Sequence, residues 1–303
     1  MSTQPFADIL LTDPDAERRP TLAAFLNSRW PCTPLADLPP VGAAVSTILL
    51  AMSSDIEHAI GAVYKLKSAF PKANLGVISS QPLDQHLPRF FNAGATQFLT
   101  GTGARLEHEL AWQVSAMISH DLSAGLESIF GPFHSKVSFV VRDRWERHNA
   151  IDKVVDFFTD PEVPGSVVDI HLALDEMLNN AFYHSFRDPD GHEKYTAETF
   201  DTLENEESVR IEIGRVGDFQ IVSVRDTAGS LSVEKVTQSL ARHLTMQGLM
   251  DEHGRGFFLM RSVSDGMLVR IQPKVSTEVT LVFGRHTSSL VKGLLVQETP
   301  RAD

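Results

Sequence analysis

Cysteine occurs once in the 303 residues, at Cys32. A lone thiol excludes an internal disulfide and any zinc site built from several cysteines, and it fits a reducing compartment. No apolar run approaches the ~20 residues that a membrane-spanning helix needs. Met1 to Pro5 also lacks the basic-then-apolar order of a signal peptide. Basic clusters are missing too: 27 Lys and Arg stand against 39 Asp and Glu, a formal charge of −12. That balance argues against a nucleic-acid backbone as the main partner. Internal repeats and low-complexity tracts are absent, and Trp30, Trp112 and Trp145 are too scattered to form a stacking platform. The cytoplasm is the expected location.

What is present is apolar residue in globular proportion, 42%, in a chain long enough for two domains with a core each. Residues 6 to about 125 alternate short apolar runs with helix-like stretches, the pattern of a doubly wound α/β domain. Strands are expected at Ile9-Leu10-Leu11-Thr12, Thr47 to Met52, Leu75 to Ser79 and Gln97 to Thr100, with helices over 16–27, 54–69, 83–93 and 103–120. The run Phe91-Asn92-Ala93-Gly94-Ala95-Thr96-Gln97-Phe98-Leu99-Thr100, with Asp13 and Asp15 after the first strand, resembles a two-component receiver domain, a flavodoxin-like fold. Where that family carries its phosphorylated aspartate, this chain reads Ile48-Leu49-Leu50-Ala51-Met52, and Gly101 stands in place of the family's lysine. Ser79 or Ser80 matches the family's hydroxyl position. The resemblance therefore implies a pseudo-receiver (1–125) without phosphoryl chemistry.

Phe130-Gly131-Pro132 reads as a break, and a second domain is expected over 130–285. Val137, Phe139 and Val141 alternate as in a strand buried on one face. Ile151, Val154, Val155 and Phe158 recur at helical spacing, as do Leu174, Met177, Leu178, Ala181 and Phe182 further on. Strand alternation returns at Val209/Ile211/Ile213, Phe219 to Val224, Met267/Val269/Ile271 and Val279/Leu281/Phe283. The expected architecture is an α+β sandwich, helices over a mixed sheet. Segment 187–207 is polar and rich in turn formers and reads as a long surface loop. Residues 286–303 read as a tail that is helical only when docked.

Chemistry concentrates in three stretches. Glu176, Asn180 and His184 stand at i, i+4 and i+8, one face of a helix. Asp226 ends a strand and is followed by Gly229. Gly254-Arg255-Gly256 then opens a helix, and such a turn lets backbone N–H groups approach phosphate. An acid with an amide one turn later, an acid at a strand end and a glycine turn are the parts of a site for Mg²⁺ and a nucleotide.

With these residues in order, 135–284 resembles the ATPase fold shared by gyrase and histidine kinases, the GHKL superfamily. Within it the chain is most similar to the compact serine/threonine kinases that act as anti-sigma factors. Leu174-Asp175-Glu176-Met177-Leu178-Asn179-Asn180-Ala181-Phe182-Tyr183-His184 matches their Glu-x-x-x-Asn-Ala-x-x-His box. The resemblance implies ATP and Mg²⁺ as cofactors, with Asn180 a ligand of Mg²⁺ and Glu176 the group that orients or deprotonates the attacking hydroxyl. It implies that Asp226 accepts from the adenine amino group, with Gly229 close to the base. Gly254, Arg255 and Gly256 would close over the phosphates, and Thr277 and Thr280 match the family's threonine region, Thr280 as an adenine contact. The family's adenine box, Asp-x-Gly-x-Gly, is here Asp226-Thr227-Ala228-Gly229-Ser230. The implied partner is an anti-sigma-factor antagonist of the STAS type, with a sigma factor or another client held by the free kinase, and a homodimer. Two alternatives stay open. One is an inactive ATP-binding module that regulates a partner by binding. The other is an atypical histidine kinase using His120 in Met117-Ile118-Ser119-His120-Asp121-Leu122, although the 60 residues between His120 and Asn180 (180 minus 120) leave no room for a dimerisation hairpin.

Overall fold

The computed structural model of the chain describes residues 9–36, 45–52, 54–100, 106–119, 125–159, 167–204, 206–244, 255–284 and 292–298. Gly101, His120 and Gly254 lie outside the described residues. The chain divides into two compact units, Met1–Ser119 with Gly293–Leu295, and His120–Lys292 with Val296–Asp303.

The first unit contains strands β1 (Ile9–Thr12), β2 (Cys32–Leu35), β3 (Thr47–Ala51), β4 (Asn74–Ser79) and β5 (Gln97–Thr100). They pair in parallel in the order β2-β1-β3-β4-β5. This is the flavodoxin-like doubly wound order, which receivers share. Helices α1 (Arg18–Asn27), α2 (Ile56–Ala69), α3 (Leu87–Asn92) and α4 (Leu106–Ile118) connect or follow them. Every residue of β3 is buried, as befits a central strand covered on both faces. Helix α2 starts where the Asp55 side chain accepts from His58 N at 2.9 Å, and it turns Ala59, Ala62, Val63 and Leu66 inward. Strand β2 has no counterpart among the strands expected from sequence. It is four residues long and contains Pro34, which cannot donate to a ladder and so belongs on an outer strand.

The second unit contains α5 (Glu127–Phe130), β6 (Ser135–Val141), α6 (Arg144–Phe158), α7 (Val167–Asn179), β7 (Val209–Val216), β8 (Phe219–Asp226), α8 (Val233–Leu244), α9 (Gly256–Val263), β9 (Gly266–Gln272) and β10 (Ser276–Phe283). Its described pairings run in the order β9-β10-β8-β7-β6 and all are antiparallel, where a mixed sheet was expected. Register fixes the faces: Val209, Asp226 and Thr277 lie side by side, and so do Ile211, Val224, Val279 and Val269. The opposite face carries Arg270 and Glu278, paired across β9 and β10 with both side chains buried. The Asp143 side chain caps α6 by accepting from Glu146 N at 2.7 Å.

One expectation changes and another gains detail. Gly293–Glu298 is a strand, β11, and its Leu294 and Leu295 pair antiparallel with Phe98 and Gln97 of β5, where a tail was expected. Segment 187–207 is a surface loop as expected, mostly exposed and without helix or strand among its described residues, but it is anchored by buried side chains. Phe200 is fully buried, with its ring 4.9 Å from that of Phe182 and 5.6 Å from that of Tyr195, and Phe186 and Leu203 are buried too. Arg144 Nε donates to Phe200 O at 2.9 Å and fixes the segment to the start of α6. These aromatics have no regular spacing, so periodicity does not reveal them. Phe200→Ala is expected to lower the stability of the second unit by about 3–5 kcal/mol, read as a shift of its denaturant midpoint. A change below about 1 kcal/mol would show that Phe200 does not anchor the loop.

Candidate functional site

Glu176 lies in the last turn of α7, and the helix then widens into a single π turn, Asn180–His184. The extra residue per turn breaks the straight line expected from α-helical spacing. Glu176 and Asn180 stay together beside Gly256, and His184 Nδ1 lies 2.8 Å from Glu193 Oε1. The same widening carries Ser185 inward. Its Oγ donates to Asp226 Oδ2 at 2.8 Å and lies 3.0 Å from Asn180 O. Arg147 of α6 reaches across to Asp175 and Asn179, each at 2.7 Å, and fixes the end of α7 from the other side.

Asp226, at the end of β8, is 3% exposed. Its Oδ1 accepts from Ala228 N at 2.8 Å, Gly229 N at 3.1 Å and Thr277 N at 3.3 Å. Burial nonetheless outweighs these donors and holds the carboxyl above its ordinary range. Thr277 shares the Asp226 face, and its buried Oγ1 has no partner among the described residues. Thr280 does not share that face: strand alternation turns it to the opposite side, where its Oγ1 meets Ser223 Oγ at 2.9 Å. Of the two β10 threonines, Thr277 and not Thr280 stands beside Asp226. Sequence reasoning also missed Ser185, because only the π turn brings it to Asp226.

Gly229 has φ +60°, and a Cβ there would stand 2.3 Å from Gln272 O and 2.6 Å from Val275 N. Its close approach is to the β9–β10 turn, which is why the position admits no side chain. Gly256 opens α9 against the end of α7. A Cβ on it would lie 2.8 Å from Glu176 Oε2 and 3.3 Å from Asn180 Nδ2. Asn180 Nδ2 is buried without a partner among the described residues. The Glu176 carboxyl is pushed up, first by burial and then by Asp175, against the pull of Arg255 and His184. Arg255 itself is exposed at the N-cap of α9. Glu176, Asn180, Arg255 and Gly256 thus form one cluster, with Asp226 and Thr277 joined to it through Ser185 and the π turn. Such a cluster presents an acid, an amide and the free N–H groups of a helix start to one space.

The acids of the first unit are differently employed. Asp13 is fully buried and held by Arg18, whose Nε and Nη2 donate to its two oxygens at 2.9 and 2.8 Å. Nη2 also donates to Met52 O at 2.9 Å. Asp15 accepts from Glu17 N and Arg18 N at the start of α1, and those backbone bonds hold its carboxyl low. Ser79 Oγ is engaged locally, donating to Gln81 O at 2.9 Å.

The raised carboxyl of Asp226 makes stability depend on pH in a definite sense. The folded state binds that proton more tightly than the unfolded chain, whose value is near the ordinary 3.8. The stabilisation is full below 3.8 and is lost as pH rises from there through the raised folded value. Relative to Asp226→Asn, the native chain should therefore lose unfolding free energy as pH increases from about 4 toward 7. Parallel denaturation curves with a constant difference across that range would show that the carboxyl titrates as it does in water.

No protein-family model and no curated protein matches the chain. Among solved structures, a pilus assembly-related protein from Burkholderia pseudomallei is 18% identical, with 33% of this chain and 81% of that one covered at a TM-score of 0.28. A CheY-like protein, TadZ, from Pseudomonas aeruginosa is 17% identical, with 42% and 96% covered at a TM-score of 0.28. The response regulator DrrB of Thermotoga maritima is 15% identical, with 31% and 45% covered at a TM-score of 0.27. The receiver-like character of the first unit rests on its strand order.

Proposed function

We propose that the second unit is an ATP-dependent serine/threonine protein kinase with the histidine-kinase/gyrase type of ATPase fold. It would transfer the γ-phosphoryl group of Mg·ATP to a Ser or Thr of an anti-sigma-factor antagonist of the STAS type. The observation that carries this reading is the packing of the Gly256 helix start against both Glu176 and Asn180. Two segments far apart in sequence, the end of α7 with its π turn and the start of α9, there bring an acid, an amide and anion-binding N–H groups to one space.

The residues present fit the nucleotide. Asn180 has amide capacity to spare, and its Oδ1 is a suitable single ligand for a hard cation that keeps most of its water. Mg²⁺, when bound, supplies charge neutralisation at the phosphates. The missing side chain of Gly256 lets Glu176 and Asn180 come up to the α9 N-terminus, where a phosphate would meet free N–H groups with Arg255 beside it. Asp226 accepts from a purine amino group, and the unpartnered Thr277 Oγ1 supplies a neighbouring polar contact. Glu176, whose carboxyl burial pushes above its ordinary range, positions the attacking hydroxyl and takes its proton. The first unit is then a pseudo-receiver that supplies input, and the kinase switches between the antagonist and a sigma factor or other client, working as a homodimer.

A second reading is favoured by one observation: backbone of the β9–β10 turn fills the space beside Gly229 that the first reading leaves to the base. In that reading the unit binds partners, and nucleotide at most sets its conformation. Calorimetric titration with ATP separates the two. Binding that needs Mg²⁺ and weakens at least about tenfold in both Asn180→Ala and Asp226→Asn is expected. A folded native chain that takes up no ATP would leave only the binding module. Phosphate transfer to the antagonist should rise with pH through the raised Glu176 carboxyl. Glu176→Gln should bind ATP normally yet transfer slowly and without that rise. Full transfer by this variant removes Glu176 from the chemistry.

A further inference from the structure

A cavity of about 260 Å³ opens at the carboxyl ends of β1 and β3 in the first unit. The strand order reverses between these two strands, and the crevice outside such a reversal is where doubly wound sheets take up ligands. Thr12 and Leu50 form one wall, Met52 lies at the strand end, and Ala62 of α2 faces them. The space exists because α2 is built from small residues here: a Cβ on Gly61 would meet nothing within 4 Å.

Thr12 is 3% exposed, lines this cavity, and its Oγ1 has no partner among the described residues. A hydroxyl buried without a partner carries an uncompensated desolvation cost, which a ligand hydrogen bond would relieve. The mouth is basic. His58 and Lys65 line it from the exposed side of α2, and Lys65 makes no ion pair among the described residues. The nearby carboxylate, Asp13, is already neutralised by two hydrogen bonds from Arg18. Arg18 also occupies Met52 O, so neither the Asp13 carboxylate nor that carbonyl is open to a cation.

The geometry points to a ligand-binding site for a small organic acid. Its apolar body fills the space between Leu50, Met52 and Ala62, a polar atom meets Thr12 Oγ1, and its carboxylate lies at the Lys65 ammonium. The volume restricts the occupant to a body of about benzoate size, below the usual span of drug-sized pockets. This assignment is independent of what the second unit does.

The test uses the full chain with benzoate and hexanoate as probes, against benzamide and hexanol as uncharged analogues, followed by methyl-resolved NMR. Saturable shifts of the Leu50, Met52 and Ala62 methyls are expected with the acids. They should weaken at least about tenfold in Lys65→Glu. They should vanish in Ala62→Phe, which fills the cavity, while its unfolding midpoint shows that the fold persists. If Ala62→Phe does not fold, Thr12→Val, which removes only the hydroxyl, must weaken binding instead. Equal binding of acid and uncharged analogue overturns the ligand class. Unchanged binding in the folded cavity variants, or no saturable shift with either acid at millimolar concentration, overturns the site.

Discussion

The hydrogen bonds that converge on Asp226 hold the second unit's site together. One carboxylate takes two N–H groups from its own turn, one from the neighbouring strand β10 and a hydroxyl from the π turn after α7. Strand, turn and helix end are thereby fixed to one another at a single buried point. A charge in such a place is costly, and only several donors at once make it tolerable. The site's other members inherit their positions from this arrangement: Asn180 through Ser185, and Thr277 through its backbone. Arg147 fixes the same helix end from outside through Asp175 and Asn179.

Asp13 and Asp226 show two answers to the same problem, a carboxylate buried at a strand end. Asp226 is answered by neutral donors, which leave its net charge and its elevated proton affinity in place. Asp13 is answered by a guanidinium in bidentate geometry, which cancels the charge outright. The first arrangement leaves a group that can still respond to what approaches it. The second leaves a group whose electrostatic work is complete within the chain.

What the sequence made legible were features with a period. The alternation of Val209, Ile211 and Ile213, the helical stripe of Leu174, Met177 and Leu178, and the apolar runs at 9–12 and 47–52 appear where their spacing predicts. What it hid were features with none. Strand β2 is too short and too interrupted by Pro34 to show a pattern. The aromatic cluster around Phe200 is assembled from irregular positions, and nothing in the letters announces β11. In the site, Glu176, Asn180, Asp226 and Gly256 were legible because each stands at the end or start of a periodic element. Ser185 was not, since a π turn adds a residue that no sequence spacing records. Thr277 and Thr280 were separable in principle, because only one has the parity of Asp226 through the β8–β10 register.

Strand β11 gives the first unit an order of assembly. The edge of β5 that pairs with Leu294 and Leu295 is made early in synthesis, while its partner emerges only after residues 120–292 of the second unit. For most of translation that edge offers unpaired N–H and C=O groups to whatever strand comes near, its own later residues among them. The first unit therefore begins to form first yet is completed only when most of the second has been made.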